Sequence, residues 1–166
     1  ESHVAVLAAR IAKELHLTPT QIETTRLAAL VHDIGKVAIP LEILNKPSKL
    51  TPEEFAVIQT HPQLGYDILK KIHFPLPIAD IMYAHHEYLD GSGYPRGLTA
   101  KDIPIETRIV TVSDIVQSMV EDRPYRHGLP IQTAIDEIKR LSGTRLDPLV
   151  VEACIRVLDH YPKIAD

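Results

Sequence analysis

Apolar positions recur along this chain every three to four residues, and the polar residues that interrupt the rhythm are few enough to name. Val4, Leu7, Ala8, Ile11, Ala12 and Leu15 share one face of a helix. Ile22, Leu27, Leu30 and Val31 mark a second helix, which ends at His32-Asp33-Ile34-Gly35. Thr18-Pro19-Thr20 separates the two, and Thr20 with Glu23 three residues on reads as the cap of the second. Thr51-Pro52-Glu53-Glu54 is another start: a hydroxyl cap, proline at the first position, acids in the first turn. That helix is expected to run to about His61, where Pro62 forces a new start. Leu64, Ile68, Leu69 and Ile72 give the next face, and residues 76–86 are expected to be helical with Ile78, Ile81 and Met82 inward. Residues 88–101 read as a glycine-containing loop. After Pro104 a long helix carries Ile105, Ile109, Val112, Val116 and Met119, and two more fit residues 131–141 and 148–160. No stretch alternates like a strand and no segment repeats. The expected fold is all-α, a compact multi-helix bundle whose stripes bury one core, at ~25 cal/mol per Å² of apolar surface.

Size and charge narrow the function. The 166 residues suffice for one domain with a core, assigned to 1–166 as a whole, and are too few for two. The net charge of -4 gives no general basic character, so neither DNA nor a membrane surface is an expected partner. An anionic substrate then needs locally placed cations or a metal. Cys154 is the one cysteine, so no internal disulfide can form, and a reducing, cytoplasmic setting fits. Its neighbours Val150, Val151, Val157 and Leu158 make it a piece of core wall. No apolar run is long enough to span a bilayer. The chain opens inside a helical pattern, and it is expected to be a piece of a longer multidomain protein.

The chemistry lies in the polar interruptions. His32-Asp33 offers an imidazole and a carboxylate from one short piece of backbone, both ligands for a divalent metal. Gly35 is expected to let the chain leave its helix through the left-handed region, and Lys36 supplies a mobile cation for a phosphate. His61, the adjacent His85 and His86, and Asp114 are further ligand types. Asp114 sits between Val112 and Val116, and a carboxylate in an apolar stretch needs a partner. A lone buried histidine is ordinarily satisfied by its neighbours; six ligand-type residues at such positions point to a metal site. On a helix, neighbouring side chains diverge by about 100°, so His85 and His86 are expected to serve two adjacent ions, with Asp33 able to bridge them. Two ions ~3.5–4 Å apart are the clamp for phosphate-ester hydrolysis. Imidazole and carboxylate without thiolate suit iron or manganese, with zinc and nickel as the other candidates. Beyond the histidine pair, Asp90-Gly91-Ser92-Gly93-Tyr94-Pro95 forms a loop in which Gly91 and Gly93 permit unusual backbone conformations and Tyr94 can offer a flat face to a purine. Arg123 and Arg126 can clamp phosphates or a guanine edge through their planar donor forks, and Arg108 can pair with a carboxylate in support.

In this order, HDIGK, the His61-Pro62 step, HHE, DGSGYP, RIVTVSD and RPYR resemble the HD-GYP family of the HD phosphohydrolases, across essentially the whole chain. The resemblance implies an all-helical fold with a centre of two or three metals, often iron or manganese. It implies a bacterial phosphodiesterase taking cyclic di-GMP to pGpG and on to GMP. Implied partners are an upstream sensory or receiver domain, diguanylate cyclase-type domains and a second copy in a homodimer. The implied ligands are His32, Asp33, His61, His85, His86 and Asp114. Lys36 and Asp33 are the implied catalytic residues, and Lys36, Tyr94, Arg123 and Arg126 the implied substrate contacts. Two departures stand out. The family's first-helix histidine would fall one residue before Glu1, leaving His3 at the usual arginine position and off the ligand set. Gln117 stands where the family often has an aspartate. Two other readings compete with hydrolysis of cyclic di-GMP: a binding or docking module without turnover, and a hydrolase of another nucleotide.

Overall fold

The computed structural model describes residues 2–122 and 127–160. Among them the ordered elements are helical: α1 (His3–Glu14), α2 (Pro19–Val31), a 3-10 turn (Ile34–Ala38), α3 (Leu41–Leu44), α4 (Pro52–Ile58), α5 (His61–Leu69), α6 (Ile78–Tyr83), α7 (Ile105–Val120), α8 (Ile131–Leu141) and α9 (Pro148–His160). A second 3-10 turn, Ala100–Asp102, closes the loop before α7. The only strand-like pairings among the described residues are isolated bridges, Asp90 with Thr99 and Ser142 with Leu146.

The long helix α7 is the axis of the bundle, with α1, α2, α8 and α9 packed around it. Its Ile109, Val112 and Val116 meet Leu7 and Ile11 of α1, Ile138 of α8 and Val150 and Cys154 of α9 in one buried cluster. The burial that drives this is worth about 1.5–3 kcal/mol for each fully covered Leu, Ile or Val. Burial also pushes the Cys154 thiol up to about 12, so it stays protonated within the core. No helix among the described residues is long and apolar enough to cross a membrane.

Local chemistry sets the boundaries. α1 ends in a Schellman turn: Leu17 N–H returns to the Ala12 carbonyl at 3.1 Å and His16 N–H to that of Lys13 at 2.9 Å. His16 itself takes the left-handed position, at φ 55°. The start of α2 differs from expectation. Thr18, not Thr20, is the cap, in a capping box with Gln21, because Pro19 lacks an N–H and takes the first helical position. Glu23 instead pairs with Arg26 at 2.7 Å. The Thr51 start holds as read, with a capping box to Glu54, but α4 stops at Ile58 and His61 begins α5. The helix expected over 76–86 is shorter, Ile78–Tyr83, so His85 and His86 lie in the turn beyond it.

Candidate metal centre

Three junctions between helices build the site. His32 is the C-cap of α2 and Asp33 opens the 3-10 turn that follows. Gly35 does not use the left-handed region expected of it. Its role is contact: a Cβ there would lie 1.9 Å from the His61 carbonyl oxygen and 2.6 Å from the Gly65 nitrogen. The missing side chain is what lets the His32-Asp33 turn lie directly on the start of α5. His61, the first residue of α5, then faces Asp33. The turn after α6 brings in His85 and His86, and the His85 carbonyl accepts the Thr111 hydroxyl of α7 at 2.8 Å. α7 supplies Asp114.

The six ligand-type residues converge. His32 Nε2 lies 3.3 Å from Asp33 Oδ2 and 3.4 Å from Asp114 Oδ1. On the other side His61, His85 and His86 place ligand atoms within 4.8 Å of one another. Asp33 reaches both groups, its Oδ1 lying 3.5 Å from His61 Nε2. The reason for expecting that His85 and His86 would not easily share one ion does not hold here. It assumed both on a helix; in the turn their rings are 4.0 Å apart and fall in the same group with His61.

Hydrogen bonds fix which nitrogen each ring presents. Nδ1 of His32 lies 2.7 Å from the Ala29 carbonyl, that of His61 2.7 Å from Ile58, and that of His85 2.5 Å from Met82. A carbonyl only accepts, so Nδ1 carries the proton and Nε2 is left for the site. Burial lowers the basicity of His61. Burial, then the neighbouring His86 and His32, holds His85 well below its ordinary value. Burial takes His86 down to about 4. His32 goes the other way. Burial opposes its charge, but the hydrogen bonds to Asp114 and Asp33 outweigh that and raise it to about 10. The same contacts overcome burial at Asp33 and Asp114 and hold both carboxyls below the usual range.

The remaining predicted residues divide. Lys36 is at the site, its Nζ 2.7 Å from Asp33 Oδ2. Tyr94 is there too, its ring stacked on His86 at 4.8 Å and 24°. One face of Tyr94 is therefore occupied by a ligand-type imidazole. Arg108 does pair with a carboxylate, but with Asp147 at 2.9 Å, ahead of α9 and not with a carboxylate of the site. Arg123 and Arg126 lie outside the described residues. His3 is exposed beside Gln117 and Glu121, 3.3 Å and 3.9 Å away. An open cleft of about 260 Å³ runs from Gln117 and Glu121 to His32, Asp33 and Asp114.

Glu87, the third residue of the HHE run, had no role in the sequence reading. It is buried, and its carboxylate accepts the backbone N–H groups of Arg96 and Leu98 at 2.7 and 2.9 Å. An acid directly after two ligand-type histidines was a visible signal. Its partners were not, because they are main-chain groups nine and eleven residues away.

The donor chemistry fits divalent metal. His61 and His85 present Nε2 lone pairs, His32 offers its own once its proton is displaced, the Asp33 and Asp114 carboxylates lie alongside, and no thiolate is near. The HD-domain family model matches residues 1–150. A cyclic di-GMP phosphodiesterase of Thermotoga maritima is 44% identical over 93% of this chain and 42% of its own length. The cyclic di-GMP phosphodiesterase response regulator RpfG of Xanthomonas campestris is 40% identical over 93% of this chain and 41% of its own. Among solved structures, an HDG"Y"P protein from Bdellovibrio bacteriovorus superposes with a TM-score of 0.78 at 24% identity, over 94% of this chain and 50% of that one. The chain belongs to the HD-domain family. It spans less than half the length of the curated relatives just described.

Proposed function

We propose that this domain is a metal-dependent phosphodiesterase that hydrolyses cyclic di-GMP to pGpG and on to GMP in bacterial second-messenger signalling. One observation carries the reading. The Nε2 atoms of His61 and His85 face each other at 3.4 Å while both Nδ1 protons are spent on carbonyls. Two neutral lone pairs repel at that distance, and a cation shared between them turns repulsion into binding. The relatives supply the substrate class.

His32, Asp33 and Asp114 would hold one divalent ion and His61, His85 and His86 a second, with Asp33 within reach of both groups. Iron or manganese suits this mixture best, ahead of zinc and nickel. Bound ions supply the Lewis acidity that activates water and neutralises charge at phosphorus. The chain's own residues do the rest. Asp33 and Asp114 supply the negative charge that would retain cations once the His32 proton is displaced. Lys36, partly buried against Asp33, places a positive charge for a phosphodiester oxygen. Tyr94, Arg123 and Arg126 are the proposed nucleotide contacts. A sensory or receiver domain upstream, diguanylate cyclase-type domains, a homodimer and a cytoplasmic location complete the proposal.

The test is elemental analysis of anaerobically purified protein together with chromatography of its products. Cyclic di-GMP, cyclic di-AMP and the mixed guanine–adenine cyclic dinucleotide are offered separately. The expected result is two divalent ions per chain and linear pGpG or GMP from cyclic di-GMP. Bound metal with no product from any of the three would overturn it in favour of a sensing module.

A further inference from the structure

We infer that Glu87 is a positioning residue for the metal centre, clamping the glycine loop so that Tyr94 is held flat against His86. His86 is the exception among the ligand-type histidines. His32, His61 and His85 each have Nδ1 on a main-chain carbonyl. Among the described residues, no hydrogen bond orients the ring nitrogens of His86. Among the rings of the described residues, it meets Tyr94 in a stack and its fellow ligand candidates His61 and His85. A metal-binding imidazole ordinarily has a hydrogen-bonded partner that fixes its ring. Here the stack takes that place, and the stack is only as good as the loop that carries Tyr94.

Three features hold the loop, and all converge on the HHE run. Tyr94 N–H donates to the His86 carbonyl at 3.1 Å. Gly93 lies so close that a Cβ would sit 2.4 Å from that same oxygen and 2.5 Å from Glu87 Cα. The Glu87 side chain, 2% exposed, takes the N–H groups of Arg96 and Leu98, just past Tyr94. A buried carboxylate needs such partners, and bonds from N–H to an ionised oxygen are strong. With both oxygens engaged and buried, Glu87 has no atom left for substrate or ion. Its effect on the centre runs through Tyr94.

The inference rests on reading His86 as a ligand, and its test is read first without metal. In metal-free protein the Tyr94 ring current shields the His86 ring protons, which NMR detects directly. Glu87→Ala and Tyr94→Leu are expected to move the His86 signals in the same direction, toward unstacked values, leaving those of His32 and His61 in place. Calorimetric titration with Mn²⁺ is expected to show about ten- to a hundredfold weaker binding in both variants. Glu87→Gln is expected to recover part of both effects, since an amide oxygen accepts one N–H while its NH₂ group faces the other. Unchanged His86 signals in Glu87→Ala would overturn the inference. So would a uniform shift of all the histidines in Glu87→Gln, which would mark a general scaffold role. If Glu87→Ala does not fold, Glu87→Gln and Tyr94→Leu decide between the same outcomes. None of these readouts uses turnover, so failure of the phosphodiesterase reading is recognised separately.

Discussion

Gly35 lies against His61 so closely that the main chain of one forms the floor under the other. A single added carbon would stand 1.9 Å from the His61 carbonyl oxygen. This contact joins the α2 side of the centre to the α5 side, and it is made by backbone that a side chain would push apart. Gly35→Ala is therefore expected to lower stability by about 3 kcal/mol and to weaken metal retention as His61 moves away from Asp33. Thermal denaturation and metal content of the same preparation check both effects. A stable variant with normal metal content would show that the junction yields without cost.

Asp33 is the residue common to both halves of the site. Asp33→Ala and His32→Ala are each expected to reduce hydrolysis at least about a thousandfold, equivalent to ~4 kcal/mol of barrier. The helical fold should persist, since both residues sit at the ends of elements and not among the apolar contacts of the core. Circular dichroism and a product assay measured together settle this. Full turnover by a folded, metal-free variant would remove the metal from the chemistry.

Metal uptake should depend on pH through His32. The free imidazole titrates near 6.5, and the flanking carboxylates raise it to about 10 in the folded chain, against the opposing effect of burial. The folded state thus holds a proton there that the unfolded chain releases. The resulting stabilisation is complete below pH 6.5 and is lost as pH rises through 10. An ion at this ring must displace that proton. Its apparent affinity should rise by up to about tenfold per pH unit across the window, with one proton released. His61, His85 and His86 are held neutral by burial and should add no release at neutral pH. Titration in buffers of different ionisation enthalpy counts the protons. Zero release at pH 8 would contradict the assignment.

The core is separable from the chemistry. Leu7 of α1 is fully buried in the apolar core cluster. Leu7→Ala is expected to cost about 2–5 kcal/mol of unfolding free energy with turnover per folded molecule unchanged. Denaturant titration and active-site-normalised rates separate the two quantities.

Much of this was legible in the chain itself. Apolar stripes and cap signals give helices at nearly the observed places, because helix period and capping are local properties of consecutive residues. The ligand types also stand out locally, as polar residues breaking those stripes. The misreadings were local signals overridden by context. The Thr18 cap displaced Thr20 once Pro19 took the first helical position. Ending α6 at Tyr83 put His85 and His86 in a turn, where adjacent rings can face one ion. What tertiary structure alone decided was distance. That Gly35 serves a backbone contact, that Asp33 lies between His32 and His61, and that Glu87 pins the loop carrying Tyr94 all depend on segments meeting in space. Sequence spacing specifies which side chains a helix presents together; only the packing of several helices against α7 specifies which helix ends meet.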